Sequence, residues 1–326
     1  MDTHTEPPSE STTPTAGAVD VSIVIPLLNE EESLRPLMEQ VRETMAATGR
    51  RFETIFIDDG SSDGSIGILE ELHDVHDEVK VIQFRRNFGK AAAYVAGFDM
   101  AAGRTIITMD ADLQDDPAEI PRLIEKIEGG VDLVSGWKKK RFDPLSKTIP
   151  SRFFNWVTGR ISGIPIHDFN CGLKAFRGEV VRDIKIYGEL HRYIPVLAHM
   201  EGYRVEEIVV QHRPRRFGVT KYGWTRLLKG FLDLLTVMYL GRYIGRPLHL
   251  FGTIGIVLSA LGVGINGYIA ALWFRTGTIQ HRHPLLFLGI LLSVLGVQFL
   301  CTGLLADMIT RQTLPNEKYN IRRVLA

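Results

Sequence analysis

The chain has 326 residues, 45% of them hydrophobic, and its 38 Lys and Arg are balanced by 38 Asp and Glu. That length leaves room for a core domain plus a further module, and zero net charge argues against a protein whose whole surface binds nucleic acid. Only two cysteines occur, Cys171 and Cys301, the second inside an apolar run, so no disulfide between them is expected and a reducing compartment is favoured.

Residues 1–20 carry four acids (Asp2, Glu6, Glu10, Asp20), no Lys or Arg, and many Ser, Thr and Pro. With no positive n-region and no apolar h-region, this stretch reads as a disordered tail rather than a signal peptide. From Val21 short β-branched runs alternate with helical stretches. Strands are predicted at Val21–Pro26, Thr54–Ile57, Val79–Phe84, Thr105–Met109 and Val131–Ser135. Continuous apolar strands separated by helices predict an α/β domain with a mostly parallel sheet covered on both faces. Ligands of such sheets sit beyond the carboxyl ends of the strands. Polar clusters fall there: Asn29-Glu30, Asp58–Ser61, Arg86-Asn87 and Asp110–Asp112. Beyond Gly136 the periodicity weakens. A helix is predicted around Ser151–Ser162, then a polar loop at His167–Gly172 and a strand at Tyr203–Val210.

Residues 211–247 hold eight bases (Arg213, Arg215, Arg216, Lys221, Arg226, Lys229, Arg242, Arg246) and one acid, Asp233. Trp224, Leu227, Leu228, Phe231, Leu234, Leu235, Met238 and Tyr239 recur at helical spacing, which fits either a helix in a membrane interface or one packed on the preceding domain. Two apolar runs follow, Leu248–Phe274 and Pro284–Ala306, each long enough to cross a bilayer core of about 30 Å. The loop between them carries only Arg275 and Arg282, so the positive-inside bias places the large N-terminal domain in the cytoplasm, anchored to the inner membrane. The expected organisation is a tail (1–20), a catalytic domain (21–215), basic amphipathic juxtamembrane helices (216–247), two spans (248–308) and a cytoplasmic tail (309–326).

Asp110-Ala111-Asp112 closes a predicted strand. Two carboxylates one residue apart can share a hard cation, which can bridge a diphosphate, and Gln114 adds a neutral oxygen. An acidic turn before a helix begun near Pro117, with Asp115 and Asp116 at its N-terminus, explains the same residues. Within Asp58–Ser65, carboxylates could accept hydrogen bonds from a base or ribose. A glycine-bearing turn and helix cap account for Gly60, Ser62 and Asp63 without a ligand, but less readily for Asp58 and Asp59.

Pro26–Glu31, Asp58–Ser65, Arg86–Lys90 and Asp110–Gln114 occur in an order and spacing that resemble the family 2 glycosyltransferases of GT-A fold. The likeness is to their polyprenyl-phosphate branch, which includes dolichyl-phosphate mannose synthases and bactoprenol glucosyltransferases, and it extends to the two-span tail. It implies that Pro26, Asn29, Glu30, Asp58 and Asp59 contact the nucleoside. Asp110, Asp112 and Gln114 would hold Mg²⁺ or Mn²⁺ and the diphosphate, with Arg86 and Lys90 nearby; for Lys90 a solvated position at a helix start explains the residue equally. Asp168, before Gly172–Phe176, falls on the acceptor side, where the family often has a base. A phosphate monoester is largely dianionic at neutral pH, its second pKa being about 6, so Asp168 is expected to orient groups more than to take a proton. An Asx-turn role competes with that. Arg213–Tyr222 is similar to the family's Arg-x-x-Gly-x-Ser-Lys-Tyr region, with Thr220 for serine, and implies acceptor-phosphate contacts from Arg213 and Lys221. His191 and Arg192 are matched in relatives as well, although a packed core histidine explains His191.

The expected function is inverting transfer of a sugar from a nucleotide diphosphate sugar, uridine favoured, to a polyprenyl phosphate at the cytoplasmic face. Expected partners are a nucleotide sugar, the lipid phosphate and the membrane, with no nucleic acid and a homo-oligomer left open. A processive polysaccharide synthase ranks behind, because its Gln-x-x-Arg-Trp motif and additional spans are missing. A catalytically silent membrane-anchored nucleotide-sugar binder is the other alternative. Gly262–Gly267 matches a dinucleotide fingerprint by letter but lies in an apolar span with no preceding strand. Small residues such as Gly255/Ser259 and Ala260/Gly264 are expected to allow close helix packing. His281 and His283 are too few for a metal site.

Overall fold

A computed structural model describes residues 19–139, 151, 155–160, 162–184, 186, 190–213, 247–279 and 281–313. They fall into two compact units that divide between Asp233 and Leu234.

The first unit is built on strands β1 (Val21–Leu27), β2 (Phe52–Asp58), β3 (Val79–Gln83), β4 (Thr105–Thr108), β5 (Leu133–Trp137), β6 (Lys174–Arg177) and β7 (Val205–Val209). They form one sheet in the order β3-β2-β1-β4-β6-β5-β7. All pairs are parallel except those of β6 with β4 and β5. The sheet is therefore mixed, and β6 is the strand the sequence did not announce. It is four residues long and opens on Lys174, a buried lysine that interrupts any apolar run.

Helices cover both faces. In α1 (Leu34–Thr48), Leu34, Leu37, Met38, Val41 and Met45 recur three or four apart and all are buried. Gly49, at φ 65°, ends the helix with its N–H on Ala46 O. With α2 (Ser65–Val75) and α4 (Ile120–Glu128), α1 packs on Ile23 and Ile25 of β1. The alternate residue Val24 points to the other face, where α3 (Lys90–Met100) brings Ala91, Tyr94 and Phe98, and helices Gly178–Asp183 and Ile194–Met200 complete the layer. Described residues of the expected 151–162 helix, Ser151, 155–160 and Ser162, are helical.

Chain order reverses at β1, which has β2 on one side and β4 on the other. Ligand crevices of doubly wound sheets open at such points. β4 pairs only with Val21–Val24, leaving the end of β1 without a neighbour on that side. Val24 O accepts the Met109 N–H, so even-numbered residues of β1 direct their backbone groups toward β4. Pro26 therefore aims its missing donor past the end of β4, where no ladder bond is lost.

The second unit consists of helices Pro247–Thr276 and His283–Thr313, whose mean hydropathies of 2.0 and 2.3 and lengths suit a membrane crossing. They pack through small residues: a Cβ on Gly255 would stand 2.7 Å from Gly296 O, and one on Gly296 would meet Ser259 N at 2.5 Å. Gly264 does not join this interface, since a Cβ there would have nothing within 4 Å. It lies two residues from the inward Gly262, about 200° around the helix, which removes the expected Ala260/Gly264 contact. The predicted juxtamembrane helices and Lys221 lie outside the described residues, as do 1–18 and 314–326.

Candidate active site

Asp110 and Asp112 stand just past β4 in a loop braced from below. Asp115 is fully buried; its Oδ2 accepts the Asp110 N–H at 3.2 Å, and its Oδ1 pairs with Lys138 Nζ at 2.7 Å. Leu113 takes the left-handed conformation at φ 60°, an unfavourable one for leucine that its buried side chain anchors. The turn brings the Gln114 N–H to Asp112 Oδ1 at 3.2 Å. Asp116 performs the expected capping, accepting the Ala118 N–H at 3.0 Å in the 3-10 turn Pro117–Glu119. Asp115 instead supports Asp110.

The Asp110 carboxylate, 30% exposed, is the meeting point of the site. Lys90, the first residue of α3, places its ammonium on Asp110 Oδ1 and 5.5 Å from the Tyr94 ring centre. Burial works against both charges, yet their mutual attraction holds Asp110 well below the usual carboxylate range and Lys90 above the usual lysine range; Lys138 adds to the pull on Asp110. His191, in the 3-10 turn Leu190–Tyr193, lies 6.4 Å from Tyr94 between ring centres. Burial and then the Lys90 charge push its pKa far down, so the imidazole is neutral, and its buried Nδ1 has no partner among the described residues. Lys174 donates to Cys171 O; burial lowers its pKa and raises that of the Cys171 thiol to about 12. Gly172 crosses beneath Asp110, tied to β4 by Thr108 Oγ1, which donates to its carbonyl at 2.8 Å.

The loops after β1 and β2 are joined. Asn29, at φ 56°, donates its N–H to Ser61 Oγ at 2.8 Å and accepts the Ser62 N–H on Oδ1 at 2.8 Å. The Glu30 N–H reaches Ser65 Oγ at 3.0 Å, and Ser33 Oγ donates to the Glu30 carboxylate at 3.2 Å. Asp58 is fully buried: Oδ1 accepts the Ser61 N–H at 3.0 Å, while Oδ2 has no partner among the described residues. Asp59 accepts the N–H groups of Phe88 at 2.7 Å and Gly89 at 3.0 Å, fixing the chain that leads into α3. Gly60, at φ 77°, lets the Arg86 backbone approach so closely that a Cβ would stand 2.6 Å from Arg86 C. Arg86 itself is exposed and lies 4.6 Å over the Phe88 ring. Asp59 and Asn29 thus have bracing roles that the sequence did not reveal.

On the opposite rim Asp168 is buried; its Oδ1 accepts the Asn170 N–H at 3.2 Å, the Asx contact foreseen as an alternative, and its carbonyl accepts from Ser135 Oγ. Beside it, His167 stacks on Trp137 with ring centres 4.2 Å apart. Arg213 reaches the loop after β4, its N–H on Gln114 O at 2.9 Å. Its guanidinium is engaged by Asp116 at 2.7 Å and Gln40 Oε1 at 2.6 Å. Arg192 is half-buried next to His191. Sequence reasoning missed Asp115, Lys138, Lys174 and Gly172 as parts of this site. Lys138 opens a run of three lysines, and only its burial sets it apart.

Among the described residues no group of three or more His, Cys, Asp or Glu side chains converges as a metal cage. A magnesium-type ion bound with a diphosphate needs only one or two carboxylates. Asp110 and Asp112 fit that demand: Asp110 already draws a cationic ammonium, and the missing Cβ of Gly172 makes room for its carboxylate.

The family model described as glycosyl transferase family 2 matches residues 22–185. The chain is 39% identical to a dodecaprenyl-phosphate galacturonate synthase of Rhizobium johnstonii, over 95% of this chain and 93% of that one. It is 34% identical to an undecaprenyl-phosphate 4-deoxy-4-formamido-L-arabinose transferase of Klebsiella pneumoniae, over 94% and 93%. Its fold is similar to glucosyl-3-phosphoglycerate synthase from Mycobacterium tuberculosis, solved with Mn²⁺, uridine diphosphate and phosphoglyceric acid. That match has a TM-score of 0.54 at 16% identity, over 69% of this chain and 79% of the other.

Proposed function

The chain belongs to glycosyl transferase family 2, and on that premise we propose that it transfers a sugar from a nucleotide diphosphate donor to a polyprenyl phosphate. The observation that carries this reading is the extent of the likeness: relatives named for polyprenyl-phosphate transfer match from end to end, through both the Asp110–Asp112 rim and the apolar helices.

In this reading the nucleoside enters the crevice at the carboxyl end of β1, where the unpartnered Asp58 Oδ2 at the end of β2 and the joined loops carrying Asn29, Glu30 and Asp59 offer acceptors. The diphosphate faces Lys90 at the N-terminus of α3, whose backbone N–H groups and ammonium both favour anions. A phosphate oxygen of the lipid attacks the anomeric carbon, the bond to the diphosphate breaks, and the nucleoside diphosphate leaves with the electron pair, inverting the configuration. The acceptor is already largely dianionic at neutral pH, so Asp168 orients rather than deprotonates. Mg²⁺ or Mn²⁺, held by Asp110 and Asp112 with Gln114 beside them, would supply Lewis-acid neutralisation of the departing diphosphate. Positioning and charge complementarity then provide most of the rate.

The two apolar helices would keep the catalytic unit (21–215) at the bilayer, and the basic segment before them favours the cytoplasmic face. Acceptor contacts from Lys221 and Arg213 belong to the same proposal; for Arg213 they require release from Asp116. A uridine donor is preferred, and the relatives place both a uronic acid and a modified pentose in the donor panel. The test is release of nucleoside diphosphate by the detergent-purified full-length chain, with and without undecaprenyl phosphate. Release that depends on the lipid from one donor supports the reading. Donor binding without lipid-dependent release from any donor would overturn it.

A further inference from the structure

Lys90 occupies the place beside Asp110 that a divalent cation would need. Its ammonium rests on Asp110 Oδ1, the carboxylate assigned above to Mg²⁺ or Mn²⁺, so this inference rests on that assignment. The lysine is held there from behind. Asp59 fixes the Phe88 and Gly89 N–H groups at the entry to α3, and the Tyr94 ring lies 5.5 Å from the ammonium. Asp115, a further carboxylate of the same loop, is already paired with Lys138 at 2.7 Å, and buried Lys174 adds a third positive charge to the field at Asp110. A divalent ion arriving alone would therefore meet an Asp110 carboxylate whose charge is already countered, and two cations on one carboxylate repel each other. A nucleotide diphosphate changes that balance. It brings negative charge for the metal and an alternative anionic partner for Lys90.

We propose that Lys90 is a resident counter-cation for Asp110 that makes metal binding conditional on the donor nucleotide. The ammonium holds Asp110 in position, excludes a divalent ion presented alone, and moves to the diphosphate when donor and metal enter together. Lys90 is thus a positioning residue that links the occupancy of two ligands, in addition to any contact it makes with the diphosphate.

The test is Mn²⁺ binding followed by the loss of the free-ion electron paramagnetic resonance signal, using the full-length chain in detergent. Titrations are run without nucleotide and with saturating uridine, cytidine or guanosine diphosphate, and the Mn²⁺ bound by each nucleotide without protein is subtracted. Wild type is expected to bind Mn²⁺ at least tenfold more tightly with one of these nucleotides than without. In Lys90→Met the affinity for Mn²⁺ alone should rise about tenfold, or about 1.4 kcal/mol, and the nucleotide dependence should shrink. Lys90→Arg, which keeps the charge, should restore that dependence. Equal Mn²⁺ affinity of wild type with and without nucleotide would overturn the proposal without any variant. So would a folded Lys90→Met protein that binds Mn²⁺ alone no better than wild type. No Mn²⁺ binding by wild type with any of the nucleotides would remove the metal assignment itself, and this inference with it.

Discussion

Gly172 lies against Asp110 so closely that a Cβ would stand 2.5 Å from the carboxylate carbon and 2.6 Å from each oxygen. The antiparallel pairing of β4 with β6 produces this contact, because Thr108 opposite Lys174 sets the loop after β4 beside the segment that leads into β6. Gly172→Ala should displace the Asp110 side chain while sparing the sheet. Turnover should fall at least about tenfold, as expected when a reacting group is misplaced by around an ångström. The thermal midpoint in detergent should move little. Normal kcat in this variant would show that the position of Asp110 is not critical.

Asp112 accepts the Gln114 N–H in the loop after β4, so its replacement should leave the sheet intact. Asp112→Ala is expected to lower kcat by roughly 10²–10³, the usual loss when one preorganised electrostatic contact is removed. Circular dichroism should match wild type.

Asp59 accepts two backbone N–H groups at the entrance to α3. Asp59→Ala strands both and should cost about 1–3 kcal/mol of stability, read as a lower midpoint in chemical denaturation. Nucleotide affinity should fall with it, since Lys90 is carried by the same segment. An unchanged midpoint would contradict the bracing role.

What was legible in the sequence followed from period and composition. β1, β2, β3 and β4 are apolar runs, and their polar ends, Asn29, Asp58 and Asp110, gather at one edge of the sheet. The end of β1 beside β4 could not be placed without strand order, and β6 was hidden by Lys174 within a four-residue strand. Asp115 read as part of a helix N-terminus and Lys138 carried no signal, because a buried ion pair spanning 23 residues has no local signature. Arg213 carried a motif, but its partners Asp116, in the loop after β4, and Gln40, in α1, are distant in sequence.

Burial and the Lys90 charge keep His191 neutral in the folded chain. Its folded pKa lies below the unfolded value of about 6.5, so as pH falls through that value the unfolded chain gains a proton that the folded one does not. Stability should therefore decline toward acid, by up to about 1.4 kcal/mol per pH unit, before Asp110, whose own pKa is depressed, begins to contribute. Thermal midpoints of His191→Gln between about pH 6.5 and 4.5 should fall less steeply than those of wild type. Parallel slopes would refute this.

Asp168 is buried with one oxygen committed to the Asn170 N–H. If it orients the acceptor, the rate should stay flat from about pH 6.5 to 8, where the lipid phosphate is mostly dianionic. A steep rise tracking a single carboxylate would make Asp168 the base.

The most direct measurement is the mass of the lipid formed when the purified full-length chain is given undecaprenyl phosphate, a divalent cation and a panel of nucleotide sugars. A single glycosyl-phosphoryl-lipid from one donor, lost in Asp112→Ala, is the predicted result. An unmodified lipid with every donor, despite measurable nucleotide binding, would contradict sugar transfer to a polyprenyl phosphate.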